Sequence, residues 1–324
     1  MKWIPLPISL SLAALTGVML YQTMAAGESR RPLPTLQQAL GDVSSLPAVQ
    51  QAAYDVDPAF FQLISKPGPG DWLANQPEPG QTVDEYRAVL PKLKPADTQR
   101  VLCLLPLGDF GKDSPSLEVL RSYCQAFFGM ETRVLEPVPI DKVPATKRIN
   151  RQTQKQQLKT VDILRWLPAH KPIDTYALIA VTMEDLYPDE KWNFVFGQAL
   201  LQGGVGVFSF ARYDPAFFGL APEANDRELM LRRSCKVLSH EMGHMFGLYH
   251  CVFYECIMNG SNHLGETDAR PMHLCPVCLR KLQLGTGFDL LSRGRDLLKF
   301  YEAQSLTPEA EWVRRRVEKL SKAK

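Results

Sequence analysis

Short apolar runs and segments with helix-like spacing alternate through the middle of the chain. Compact apolar runs favour strands, whereas apolar residues that recur every three or four positions favour helices. In chain order the pattern predicts strand 101–107, helix 117–129, strand 132–140, helix 151–167, strand 175–183 and strand 204–213, followed by a long helix over 227–247. Because strands and helices alternate, we expect a mixed α/β fold.

Residues 27–95 differ in composition from the rest of the chain. Proline, glycine and glutamine are frequent there, as in KPGPGDW at 66–72 and QPEPG at 76–80. Such residues interrupt regular secondary structure. We therefore expect a loosely structured N-terminal arm with short helical segments, one of them at about 35–52.

The first 26 residues form a third kind of segment. After Lys2 no charged residue occurs until Glu28, and the apolar run is followed by small residues near Ala25. A short positive start, an apolar run and small residues predict a secretory signal peptide, and hence an exported (periplasmic or secreted) protein. The run is close to the roughly 20 residues of a membrane span, so an uncleaved membrane anchor is the alternative.

Composition and charge exclude few classes of protein. The chain has 324 residues, of which 45% are hydrophobic and 22% charged, as expected for a globular protein with a sizeable core. The formal net charge of +2 gives no electrostatic footprint for nucleic acid, so we expect no nucleic-acid partner. A basic cluster at 314–316 lies in a helical pattern, which favours a solvated helix face over a binding patch.

The segment HEMGHMFGLYH, residues 240–250, carries the strongest chemical signal. His240 and His244 are four positions apart, so on a helix their imidazoles lie on one face and can reach one zinc ion. Gly247 predicts the end of the helix, because glycine adopts left-handed backbone conformations at little cost. That turn would bring His250 back to the metal. Three histidines leave a position open for a water, whose proton Glu241 could accept as general base.

Four of the seven cysteines come soon after this segment. Their spacing, C-x4-C-x18-C-x2-C, suits a closed structural zinc site, formed by Cys251, Cys256, Cys275 and Cys278. Two disulfides are the main alternative if the protein is exported, and a redox-active CPVC pair is a weaker one. The other three, Cys103, Cys124 and Cys235, lie in apolar contexts and are expected to be buried.

His250 and Cys251 are neighbours in sequence, and each is a residue type that binds zinc. In an extended segment, neighbouring side chains point to opposite sides of the backbone. If the chain is extended after the Gly247 turn, His250 faces the two helix histidines and Cys251 faces away, so the two residues would serve two different zinc ions, one catalytic and one structural.

The motif resembles the signature of the metzincin metalloproteases. A cysteine directly after the third histidine, then Cys256-Ile257-Met258 and a CxxC pair at 275–278, is similar to one branch of them, the archaemetzincins. The stretches 192–199, 204–213, 231–241 and 260–264 also look like that family. The resemblance runs from about residue 70 to about 300 and does not cover the apolar N-terminus. Because it implies a location like that of other family members, a cytoplasmic protein is a further alternative to an exported one.

This resemblance implies a metzincin-like domain with a mixed sheet, an active-site helix and C-terminal helices. It implies that His240, His244 and His250 bind a catalytic zinc and that Glu241 is the catalytic acid and base. Met258 would form the Met-turn beneath the histidines. The glycine-rich strand 204–210 would be the sheet edge beside the cleft, where an extended peptide could add by main-chain hydrogen bonds.

We therefore expect a zinc-dependent metallopeptidase with two Zn²⁺ ions and with peptide or protein substrates. We expect it to be a monomer and to act as an endopeptidase or an aminopeptidase. The alternative is a zinc-stabilised binding module with little or no catalytic activity. The expected division is a signal peptide or anchor at 1–26, an arm at 27–95 and an archaemetzincin-like domain at 96–324, with its catalytic zinc at 240–250 and its four-cysteine zinc at 251–278.

Overall fold

The computed structural model describes residues 32–90, 96–200, 204–221 and 223–324. The predicted signal peptide or anchor at 1–26 lies outside these residues, so it stays a prediction. Within the described ranges, no helix has the length and apolar character that crossing a membrane requires.

Helices and strands follow one another in mixed order. The helices are α1 (Leu36–Leu40), α2 (Ala48–Tyr54), α3 (Trp72–Asn75), α4 (Val83–Val89), α5 (Leu117–Phe128), α6 (Thr160–Trp166), α7 (Asp226–Met245), α8 (Leu264–Ala269), α9 (Pro276–Thr286), α10 (Leu290–Ala303) and α11 (Thr307–Lys322). The strands are β1 (Val101–Leu107), β2 (Thr132–Val134), β3 (Lys147–Ile149), β4 (Gln156–Lys159), β5 (Thr175–Thr182), β6 (Asp185–Tyr187), β7 (Gly197–Leu200) and β8 (Val205–Ser209). The mixed α/β prediction is confirmed.

A five-stranded sheet in the order β2-β1-β5-β8-β7 forms the centre of the molecule. The first four strands are parallel, and β7 runs antiparallel to β8. Alternate residues of β1 and β5 are buried on opposite faces: Leu104 and Ile179 belong to one apolar cluster, and Cys103 and Leu178 to the other. Burial on both faces explains the nearly continuous apolar runs of these strands.

The glycine-rich strand is not at the edge of the sheet, and that prediction is wrong. β8 pairs with β5 on one side and with β7 on the other, so β7, and not β8, is the edge strand on that side of the sheet. Gly197 permits this arrangement, because any side chain there would overlap the ring of Phe208. The segment after 192 therefore folds back on β8 and covers its edge.

The predicted helix over 151–167 is only partly present. Gln156–Lys159 forms β4, which lies between β3 and β6 in a separate three-stranded sheet, and only Thr160–Trp166 is helical. Buried Gln157 donates hydrogen bonds to the Asp185 carboxylate at 2.8 Å and to the carbonyl of Asn193 at 2.9 Å. These long-range pairings override the local helical spacing. Similarly, the strand predicted over 132–140 covers only Thr132–Val134.

The N-terminal arm is packed rather than loosely structured. Ala53, Tyr54, Val83 and Tyr86 are buried and belong to the same apolar cluster as one face of the central sheet. The helix expected at about 35–52 is two helices, because Gly41, with φ +69°, ends the first of them. Apolar anchors spaced between the turns therefore hold this proline-rich segment on the core.

The basic cluster at 314–316 is divided between solvent and interior. Arg314 and Arg315 are exposed, whereas Arg316 is buried and donates to the backbone carbonyl of Ala53 at 2.7 Å. Only part of this cluster is therefore the solvated face that the sequence predicts. Its buried arginine ties the C-terminal helix to the N-terminal arm.

Candidate metal centres

The end of α7 brings the third histidine back towards the first two, as the sequence predicts. Gly247 has φ +83°; its N–H donates to the carbonyl of His244, and the N–H of Leu248 donates to the carbonyl of Gly243. This pair of bonds is the Schellman motif that ends helices at a left-handed glycine. The chain reverses there, and His250 returns to the face that His240 and His244 share.

The three histidines form a compact, buried group. The centroids of the imidazole rings are 4.7 Å apart for His240 and His244, 5.2 Å for His240 and His250, and 4.9 Å for His244 and His250. One nitrogen from each ring lies within 4.8 Å of the other two. The structure therefore places all three predicted ligands around one point.

Each imidazole is oriented by a hydrogen bond from Nδ1 to an oxygen. The distances are 2.9 Å from His240 to the carbonyl of Ile257, 2.6 Å from His244 to the carbonyl of Leu248 and 2.7 Å from His250 to Glu78 Oε1. Arg270 Nη1 also lies 3.2 Å from His240 Nδ1, but a carbonyl can only accept, so Nδ1 carries the proton and donates to Ile257. Nε2 is then the nitrogen with the lone pair in each ring.

A zinc ion fits this donor set. His240 Nε2 and His244 Nε2 are 3.1 Å apart. Two lone pairs at this distance repel each other, and a cation bound by both nitrogens would remove that repulsion. Burial lowers the pKa of His240 well below its ordinary value and that of His244 to about 3, which keeps both rings neutral. Neutral imidazole nitrogens, each oriented by an oxygen acceptor, are the usual zinc ligands.

Glu241 lies beside this group, directly after His240 on α7. Its side chain is buried, and burial raises the pKa of its carboxyl group to about 7, although His250 and Arg270 act in the opposite direction. A buried carboxylate at the edge of a histidine site can accept a proton from water and release it again.

Met258 packs beneath the histidine helix. It is fully buried, and a Cβ atom at Gly243 would lie only 2.6 Å from its sulfur, so the turn and the helix are in direct contact at this glycine. The carbonyl of Met258 accepts from the N–H of Cys251, and the neighbouring Asn259 side chain donates to the carbonyl of Cys251. The turn that carries Met258 thus connects the histidine group to the first cysteine.

The four clustered cysteines form a second buried centre. Their sulfur atoms all lie within 4.8 Å of one another, and Sγ of Cys251 is 3.6 Å from Sγ of Cys275, well beyond a disulfide bond of about 2.05 Å. Backbone N–H groups of Met258 and Cys275 point at Cys256 Sγ, at 3.5 and 3.3 Å. Burial raises the pKa of Cys256 and Cys275 well above the ordinary value, so thiolates at these two positions require a nearby cation, and zinc fits a set of four cysteine sulfurs.

The adjacent residues His250 and Cys251 lie in different centres, as the alternation of an extended segment predicts. Cys103, Cys124 and Cys235 are buried elsewhere in the core, as expected from their apolar contexts.

Three residues of the arm contact His250 or the loop that carries it, and the sequence alone predicts none of them. Glu78 accepts from both His250 and the indole of Trp72, whose ring packs edge-on against His250 with centroids 5.1 Å apart. Gln81 hydrogen-bonds the carbonyl of Gly247 and the N–H of Tyr249. A glutamate between two prolines has no local signature that separates it from a surface loop residue, so only the tertiary contact reveals it.

A long helix with two histidines, a third histidine returned by a glycine turn and a buried glutamate together form the kind of site that zinc-dependent metallopeptidases use. The model of peptidase family M54 matches residues 169–284. Archaemetzincin-2 of Macaca fascicularis is 37% identical over 273 residues, covering 76% of each chain. Archaemetzincin-1 of Homo sapiens is 32% identical over 272 residues, covering 75% of this chain and 54% of its own. The chain therefore belongs to peptidase family M54, the archaemetzincins.

Solved archaemetzincins are also similar to this chain. The crystal structure of the Archaeoglobus fulgidus protein, complexed with malonate, is 30% identical, has a TM-score of 0.43 and covers 56% of this chain and 99% of its own. The family membership confirms the prediction of a zinc-dependent metallopeptidase with peptide or protein substrates. It does not favour the alternative of a binding module with little or no catalytic activity.

Proposed function

We propose that His240, His244 and His250 bind the catalytic zinc of this peptidase and that Glu241 is its general base and acid. The observation that carries the assignment is the orientation of the rings: each Nδ1 donates to an oxygen, and His240 Nε2 and His244 Nε2 face each other at 3.1 Å. Zinc, when bound there, polarises the scissile carbonyl and makes a water easier to deprotonate.

The residues of the chain supply the proton transfer. Glu241 follows a proposed ligand directly on the same helix, so its backbone is held next to the proposed zinc site. It accepts the proton of the attacking water and later delivers it to the leaving amine. Its burial limits competition from bulk solvent for that proton.

We also infer that Cys251, Cys256, Cys275 and Cys278 hold a second, structural zinc. Support comes from the four buried sulfurs and the N–H groups that point at them. Such a site links the segment after α7 to the start of α9, and Met258 lies within that segment. Its zinc therefore contributes to folding rather than to the reaction.

Replacing Glu241 with glutamine tests the catalytic assignment. The variant keeps the size of the side chain and leaves the three histidines in place, but it cannot accept a proton. We expect hydrolysis of a peptide library to fall by at least about a hundredfold, with unchanged zinc content. Glu118→Gln, an exposed residue paired with Arg121, serves as the control and should retain full activity. Undiminished turnover by Glu241→Gln would overturn the assignment.

A further inference from the structure

The third histidine of the metal centre is held by a part of the chain far from the motif. Nδ1 of His240 and of His244 donate to neutral backbone carbonyls of Ile257 and Leu248. His250 instead donates to the carboxylate of Glu78, which lies 172 positions earlier in the chain. Of the three imidazoles, His250 is thus the one whose Nδ1 partner is a carboxylate, and that partner comes from the N-terminal arm.

Two donors fix the Glu78 carboxylate itself. Trp72 Nε1 and His250 Nδ1 both donate to its Oε1, each at 2.7 Å. The indole is buried and seated against Gly260, where any side chain would overlap its ring. Glu78 therefore cannot rotate away from the histidine without giving up a second, partly buried hydrogen bond.

The same segment also holds the backbone that carries His250. Gln81 donates to the carbonyl of Gly247 at 3.1 Å and accepts from the N–H of Tyr249 at 3.2 Å. Lys281 Nζ donates to Gln81 Oε1 at 3.0 Å and so fixes this amide in turn. Residues 72–81, called the clasp below, thus contact both the side chain and the loop of the one ligand that lies outside α7.

We propose that Glu78 is a positioning residue of the catalytic metal centre and that the clasp completes this centre. The proposal rests on the proposed function, since it takes His250 as a zinc ligand. A carboxylate acceptor on Nδ1 fixes the imidazole tautomer and orientation and makes the ligating nitrogen more basic, which strengthens metal binding. A glutamine can preserve the hydrogen bond but lacks the charge, and an alanine lacks both.

Cobalt binding by the full-length protein tests the proposal without reference to turnover. The protein is equilibrated with a series of buffers of increasing free Co²⁺ concentration. Cobalt in the cysteine centre gives sulfur-to-cobalt charge-transfer bands, whereas cobalt in the histidine centre gives ligand-field bands without them. For Glu78→Ala we expect roughly 10- to 100-fold weaker binding at the histidine centre, and for Glu78→Gln a smaller loss. Asp84→Asn is the matched control, because it removes an exposed carboxylate of the arm that pairs with exposed Arg87 and lies outside the clasp.

The outcomes separate three cases. Selective weakening at the histidine centre, with the charge-transfer bands and the melting temperature before metal addition as in wild type, supports the proposal. Unchanged affinity in both Glu78 variants overturns it, as does an equal loss at both centres with a lower melting temperature, which marks a purely structural role. If the wild-type histidine centre binds no cobalt or zinc, it is the proposed function that fails.

Discussion

At the scale of single residues, the absence of a side chain at Gly243 decides how close the histidine helix comes to the turn below it. A glycine inside a helix is usually unfavourable by about 1 kcal/mol relative to alanine. Here a Cβ atom would lie 2.6 Å from the sulfur and 3.0 Å from the terminal methyl group of buried Met258. The glycine therefore allows the methionine to pack directly under the two helical ligands.

This contact predicts a reversal of sign in a double-mutant cycle. Gly243→Ala should destabilise the wild-type chain by about 1–2 kcal/mol, because overpacking of the buried sulfur outweighs the gain in helix propensity. In a Met258→Ala background, the added methyl group enters space that the sulfur has vacated, so Gly243→Ala should stabilise by up to about 1 kcal/mol. Urea unfolding at fixed zinc concentration measures both, and equal effects in the two backgrounds would disprove the contact.

At the scale of elements, the histidine centre depends on how α7 ends. The helix supplies two ligands and the base from rigid positions, but the third ligand is reached only because the chain reverses at Gly247, with φ +83°. Gly287 also ends a helix, α9, with a positive φ of +79°, but its N–H donates to the carbonyl of Gln283, four positions back. Apart from its own stretch of chain, no atom of the described residues lies within 4 Å of where its Cβ would be. The two turns therefore share a left-handed glycine, but the Gly247 turn leads to a proposed metal ligand and the Gly287 turn leads to α10.

Alanine at each of these glycines should separate backbone strain from ligand placement. A left-handed conformation costs a residue with a Cβ about 1–2 kcal/mol, so Gly247→Ala and Gly287→Ala should lose similar stability in the absence of metal. Only Gly247→Ala should also weaken zinc binding at the histidine centre, since relaxation of its turn moves His250. Zinc affinities that fall equally in both variants would refute this role for the Gly247 turn.

At the scale of the whole molecule, the local parts of the site could be predicted and the long-range parts could not. The spacing of His240 and His244, the glycine turn and the cysteine spacing are each explained by geometry within a few residues of the motif. The contact from Glu78 to His250 spans 172 positions, and the covering of β8 by β7 depends on which strands meet. Residues that read as a loose arm are packed on the core because their scattered apolar anchors find partners in distant helices.

The zinc content and the number of free thiols in the full chain test whether the four clustered cysteines bind zinc or form disulfides. All four clustered sulfurs are buried, and those of Cys251 and Cys275 are 3.6 Å apart, so we expect two zinc ions per chain and seven reactive thiols after denaturation without reductant. Removing the second zinc should leave four buried cysteine side chains without the cation that they share and so lower the stability of the fold strongly.

Cys103→Ser is the matched control for this measurement. Cys103 is a buried cysteine outside the cluster and contacts Thr175 at 3.1 Å, so its replacement should lower the thiol count by one and leave both zinc ions bound. One zinc per wild-type chain, with only three of the seven cysteines reactive, would mean that the clustered cysteines form two disulfides. In that case two disulfide bonds rather than a metal would fix the segment between His250 and α9.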